Sequence, residues 1–326
     1  MHRIEVITSD GITWNKIEVI SEFVECLFKF EHVELDLCNE GPDLYELDIF
    51  AHLTTLIKKF NYREKISLKT KNILQKEIPG FEIAKSFPKH LLVTTCKNLC
   101  AIEPKKQIQF KFGNFIGRSN HHRLDLGSFL YTNYKNDTLQ TFHYDKNHEF
   151  HRKNLGLELL IEQTASNDYN ALVDFIASLP IKIQEENFDY PILGDNNYKC
   201  YPLYNDFFVE VVCETYFSGQ TFFPTEKIWR PIMLETPFIV QGPQNYLDNL
   251  RKLGFKTFDK WWDEGYQEDP ADHQPKEIKK VIDSISKLDN NKIQHMYNDM
   301  HPILEHNKNR LLELYKNPIQ LNFIYE

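Results

Sequence analysis

Two polar clusters have the residue types and spacing to hold a phosphorylated ligand. The first is Glu214-Thr215, followed eleven positions on by Thr225-Glu226-Lys227 at the opening of an apolar-periodic run. A lysine places positive charge beside a phosphate, and Thr225 with the free amides of a helix start donates hydrogen bonds to phosphate or ribose oxygens. Glu226 cannot favour a phosphate electrostatically, so its chemistry is ribose binding or the orientation of Lys227. Glu214 can accept hydrogen bonds from ribose or sugar hydroxyls. The competing reading of Glu226-Lys227 is a capped, solvated helix start.

The second cluster is Arg118-Ser119-Asn120 with Arg123, just after Gln109–Gly117. Paired arginines stabilise charge on a pyrophosphate leaving group, with Ser119 and Asn120 shaping the turn. Their plainer alternative is a surface turn at a helix start, and Lys256 after Gly254 reads as a solvated loop lysine. Asp10, Glu40, Asp43, Glu46 and Asp48 are possible general bases, of which Glu46 and Asp48 are preferred, with surface solvation the plainer reading of each. His121 and His122, with the looser group His143, His148 and His151, invite a metal hypothesis. Their spacing does not establish convergent ligands, so no metal site is expected. Trp261-Trp262-Asp263-Glu264-Gly265-Tyr266 can line a cleft, with core packing expected for at least one tryptophan.

The surrounding pattern supplies the elements that must position these groups. Ile4–Ile7 reads as a strand, Val19–Phe30 as a helix, Val33–Leu37 as a strand and His52–Phe60 as a helix, with a strand or loop at His90–Thr95. A second start follows: strand Phe110–Gly117, helix Leu124–Leu130, and helical patterns at Asn154–Glu162 and Tyr169–Ile176. The compact run Phe207–Val212 suits a buried parallel strand. A helix from Thr225, a strand Pro237–Gly242 and a helix Gln244–Leu253 repeat the logic, and two helical stretches, Lys276–Leu288 and Lys292–Tyr315, close the chain. This order predicts α/β architecture, with residues 1–105 and 106–326 as two domains.

On Glu214, Thr225-Glu226-Lys227, Pro237 and Gly242, and on the strand Phe110–Gly117 followed by Arg123, the chain resembles the α-1,3-fucosyltransferase family and related bacterial and viral glycosyltransferase-like proteins. The resemblance implies a GT-B-like fold of two Rossmann-like domains with the active site in the interdomain cleft. It implies an inverting transfer of a sugar, fucose among the options, from a nucleoside-diphosphate sugar, with a GDP-sugar favoured, to a glycan or other hydroxyl acceptor. Arg123 then matches the family's donor-phosphate arginine, and the base falls in the amino-terminal domain. The chain departs from the family in having Glu214-Thr215-Tyr216 where an acidic residue is usually followed by Asn and Ser, which leaves sugar and base open. The alternatives are a non-catalytic nucleotide- or glycan-binding protein of the same layout, and an unrelated doubly wound structural protein.

Composition narrows the classes. Hydrophobic residues make up 41%, aromatic residues 13% and charged residues 26%, a balance that does not suggest disorder. A net charge of −9 argues against a dedicated nucleic-acid surface but leaves room for a local basic pocket. Six scattered cysteines favour a reducing compartment. With no signal peptide or membrane-spanning stretch in view, a cytoplasmic location is expected, and no inorganic or organic cofactor beyond the nucleotide-sugar co-substrate.

Overall fold

In the computed structural model the described residues are 1–7, 15–37, 40–47, 49–62, 65–100, 103, 106–117, 119–143, 166–183, 197–270 and 273–317. Asp10, Asp48, Arg118, His148, His151 and the Asn154–Glu162 run lie outside them.

Two parallel four-stranded sheets organise these residues. The first contains β1 (His2–Glu5), β2 (His32–Asp36), β3 (Lys65–Thr70) and β4 (Glu82–Lys85), hydrogen-bonded in chain order. Alternation explains its single covered face. Ile4, Val33, Leu35, Ile66 and Leu68 pack against α1 (Lys16–Cys26) and α2 (Ile49–Lys59), which bring Val19, Phe23, Phe50 and Leu53 to the same core. The intervening residues meet on the other face as ion pairs, Arg3 with Asp36 at 2.9 Å and Lys69 with Glu34 at 2.8 Å. Neither β3 nor β4 is expected from the sequence pattern. Within Lys65–Thr70 the alternate residues Lys65, Ser67 and Lys69 serve this second face.

The second sheet contains β5 (Phe110–Ile116), β6 (Thr138–Phe142), β7 (Phe207–Cys213) and β8 (Phe238–Gln241), in the order β6-β5-β7-β8. Every residue of β7 and β8 is buried, as expected of parallel strands covered on both faces. One face carries α4 (His121–Tyr134), against which α5 (Ser166–Ala177) and α8 (Gln274–Ser286) pack. The other carries α6 (Glu226–Met233), packed with α3 (Lys89–Leu99) and the long α9 (Asn290–Lys316). Between β8 and α8, α7 (Tyr246–Lys252) completes the set.

His90–Thr95, expected as strand or loop, is instead the body of α3. Leu91, Leu92, Thr95, Cys96 and Leu99 recur at helical spacing and are buried together. Although α3 precedes residue 105, Phe87 and these leucines belong to the hydrophobic core of the second sheet.

The two sheets meet at the carboxyl ends of their strands. Tyr216–Phe223, which leaves β7, lies against the segments that leave β2 and β3. Asn72 donates to the carbonyl of Gln220 at 2.9 Å and accepts from the amide of Phe222 at 3.3 Å. Ser218 donates to Glu46 at 2.8 Å, the Gln220 amide to Asp43 at 2.7 Å and Tyr216 to Glu40 at 2.5 Å. Gly219 has a φ of +73°, and a Cβ there would stand 2.7 Å from that of Asp43, so both conformation and space require glycine.

Candidate functional site

In the second sheet the chain runs from β5 out to β6 and then returns to place β7 on the other side of β5. Neighbouring strands β5 and β7 therefore send their following helices to opposite faces, so the switch point of the sheet lies at their carboxyl ends. This is where open α/β sheets bind ligands. The described residues of both predicted clusters fall here, one group after each strand.

Asn120 caps α4, its side chain accepting the amide of Arg123 at 3.2 Å. Thr225 caps α6 in the same way, accepting the amide of Lys227 at 3.3 Å. The positive ends of two helices thus open at the switch between β5 and β7.

Glu214 joins them. Its carboxylate accepts from the Thr225 amide at 3.1 Å, the Thr225 hydroxyl at 2.5 Å and the Tyr246 hydroxyl at 2.7 Å. Its carbonyl accepts from the Arg123 guanidinium at 2.9 Å. Glu214 is wholly buried and Arg123 is 5% exposed. The two residues therefore tie α4, β7, α6 and α7 together. Both side chains are engaged within the chain; the sequence reading places Glu214 on ligand hydroxyls and Arg123 on phosphate.

Lys227 is held by three oxygens: Glu226 at 2.9 Å, and the Thr215 and Thr225 hydroxyls at 3.3 Å each. It orients on Glu226, one of the two roles anticipated for that pair. Burial by itself raises the pKa of Glu226, but Lys227 and Arg230 outweigh burial and hold the carboxyl below its ordinary value. Arg230 in turn reaches Glu210 inside the core at 3.4 Å. Glu226 thus lies in the field of Arg230, which reaches Glu210 inside the sheet, where burial pushes the Glu210 carboxyl up to about 7.

Ser119, 2% exposed, presents a hydroxyl with no hydrogen-bond partner at the exit of β5. His122 stacks on Phe217, ring centroids 3.9 Å apart, which makes it part of the packing beneath the Tyr216–Phe223 segment. Among the described residues no group of three His, Cys, Asp or Glu side chains is placed to hold a metal ion. Trp262 packs in the core against Phe258, and Glu264 is taken up by Arg251 at 2.6 Å. Lys256 is tied through its backbone to Asn307.

Of the candidate bases, Glu40, Asp43 and Glu46 all face Tyr216–Gln220, where each accepts a hydrogen bond. Burial raises the pKa of Glu46, the Ser218 hydrogen bond opposes the rise, and the charge of Asp43 adds to it. His90, in the first turn of α3, is not singled out by the sequence pattern. Burial and the positive charge of Lys71 lower its pKa, while the charge of Glu226 works the other way, so His90 stands in the field of both sheets' residues. Asn72 and Tyr246 are also missed. Neither belongs to a recognisable spacing, and their partners lie 148 and 32 residues away in the chain.

The chain matches no protein-family model and no curated protein in sequence. No helix of the described residues is long and apolar enough to cross a membrane.

Proposed function

We propose that the protein is an inverting glycosyltransferase of GT-B type that binds a nucleoside-diphosphate sugar at the switch point between β5 and β7. The observation that carries this reading is the pair of capped helix starts at α4 and α6, joined through Glu214 and carrying Lys227 at the opening. Backbone amides at two helix ends and one lysine suit a diphosphate, whose charge grows as the sugar–phosphate bond breaks. Lys227 binds that charge, and Ser119 and Thr225 donate to phosphate or ribose oxygens. Glu226 sets Lys227 and reaches ribose hydroxyls, while Arg123 and Glu214 hold the frame.

The acceptor, a glycan in the favoured form of the proposal, enters from the first sheet. Its hydroxyl oxygen attacks the anomeric carbon from the face opposite the diphosphate. The carbon–oxygen bond to phosphate breaks with its electron pair, and a carboxylate takes the hydroxyl proton. Glu46 suits that last role, since a raised pKa makes a carboxylate a stronger base. GDP is the favoured nucleotide on resemblance, and a cytoplasmic setting belongs to the same proposal.

One observation favours a second reading, binding without turnover. Glu40, Asp43 and Glu46 are all engaged by the segment leaving β7, which takes up the carboxylates an acceptor would need.

Ligand-observed NMR against GDP, UDP, CDP, dTDP and ADP tests the donor site, with Lys227→Ala as control. Selective binding that Lys227→Ala weakens at least about tenfold supports it, since a charge-assisted contact is worth that much. No binding by folded protein overturns it. Release of nucleoside diphosphate from the matching nucleotide sugar then separates transferase from binding protein.

A further inference from the structure

Gln241 ends β8 one strand beyond Glu214, whose amide donates to the Gln241 carbonyl at 2.9 Å. Register pairs Gln241 with Cys213. Two residues earlier on that face of β7, the Val211 carbonyl accepts from Asn114, which in turn accepts from Gln140, and Gln140 also donates to the carbonyl of Gly127 in α4. Gln241 therefore projects to the α4 face, on the same side of the sheet as Arg123 and Ser119.

The contrast within that face is informative. Asn114 and Gln140, in the sheet interior, have their amides engaged. Gln241 is 1% exposed, yet among the described residues neither its Nε2 nor its Oε1 has a hydrogen-bond partner. Unpaired polar groups are costly in an interior, and a carboxamide lacking partners for both donor and acceptor carries that cost twice. The sheet satisfies the amides of Asn114 and Gln140 and leaves unpaired the one at its carboxyl edge, beside the proposed donor site.

We propose that Gln241 reads the base of the bound nucleotide, its carboxamide giving one hydrogen bond to the base edge and accepting one from it. This rests on the donor-site reading above. A phosphate offers acceptors only and would leave Oε1 unpaired, whereas each base edge presents a donor beside an acceptor. The position suits a base as well. Two strand spacings of about 4.8 Å put the end of β8 roughly 10 Å from the end of β5, so a diphosphate at the α4 and α6 starts leaves its nucleoside to extend along the strand ends toward Gln241. Both amide atoms are buried, so binding of a base must uncover them.

Calorimetric titration of wild type and Gln241→Met with GDP, UDP, CDP, dTDP, ADP and inorganic pyrophosphate tests the assignment, alongside the Tm of both ligand-free proteins. Wild type is expected to prefer one nucleotide by on the order of tenfold or more. Gln241→Met is expected to bring the nucleotides within about threefold of one another and leave pyrophosphate unchanged, with Tm equal or higher because two unpaired groups are gone. An unchanged preference in Gln241→Met overturns the role of Gln241 and leaves the donor site standing, as does a fall in Tm with weaker binding of every probe, pyrophosphate included. A wild type that binds pyrophosphate without preferring any base has the same meaning. Failure of wild type to bind any of the probes overturns both proposals.

Discussion

Asn72 and Gln220 meet across the two sheets, the side-chain amide of one donating to the backbone carbonyl of the other at 2.9 Å. The same side chain accepts the amide of Phe222, so one buried carboxamide satisfies two backbone groups of the segment leaving β7. Replacement by alanine leaves both groups unpaired in the interior. Asn72→Ala should lower unfolding stability by about 2–6 kcal/mol, at roughly 1–3 kcal/mol for each of the two groups stranded. Denaturant titration followed by tryptophan fluorescence and far-UV dichroism reads the loss, and a change below about 1 kcal/mol would show that the contact does not hold the sheets together.

Thr225 has three tasks: it caps α6, donates to Glu214 and accepts from Lys227. Serine retains all of them and valine none. Thr225→Val should destabilise by about 2–3 kcal/mol, combining a lost cap with a buried carboxylate short of a donor, while Thr225→Ser stays within about 1 kcal/mol of wild type. Equal stabilities of the two variants would remove the hydroxyl from the account.

The raised pKa of Glu46 has a pH signature. The folded chain holds this proton more tightly than the unfolded chain, so the group favours folding at acid pH. That contribution is lost as pH rises through the ordinary carboxylate value toward the raised one. Glu46→Gln imitates the protonated form. Its Tm relative to wild type should therefore climb across that window and level off above it, and a flat difference from acid to neutral pH would contradict the described environment.

Cysteine reactivity should divide by burial. The Cys96 and Cys213 thiols are each pushed up to about 12 by burial, whereas Cys100, one turn from Cys96, is exposed. Alkylation of folded protein at neutral pH, mapped by mass spectrometry, should modify Cys100 and spare Cys96 and Cys213 until denaturant is added. Rapid labelling of Cys96 would place α3 away from the core assigned to it.

Much of the second sheet is readable in the sequence because its physics is local. Phe207–Cys213 is apolar at every position but Glu210, and Thr225 stands where a cap must, before an apolar helix. β6 escapes notice for the opposite reason. Its Thr138, Gln140 and Thr141 are polar yet buried, and Gln140 is tolerated only because Asn114 and the Gly127 carbonyl, 26 and 13 residues distant, receive its amide. The same limit applies to the candidate site. Lys227 declares itself by charge beside a helix start, but the burial of Arg123 and the open amide of Gln241 depend on contacts brought together by folding. Glu46 is legible as an acid near the first sheet; its engagement by Ser218, 172 residues on, is not.

The placement of α3 has a mechanical consequence. The chain leaves β4 at Lys85, Ser86 still bonds to Thr70 of the first sheet, and Phe87 already lies in the other core. The covalent crossing is thus a single peptide step, and Asn72 with Gly41 forms the second attachment, where the Thr221 hydroxyl meets the Gly41 carbonyl at 2.5 Å. Any movement of one sheet against the other that preserves this crossing must either carry the Tyr216–Phe223 segment with the first sheet or break its hydrogen bonds to Glu40, Gly41, Asp43, Glu46 and Asn72.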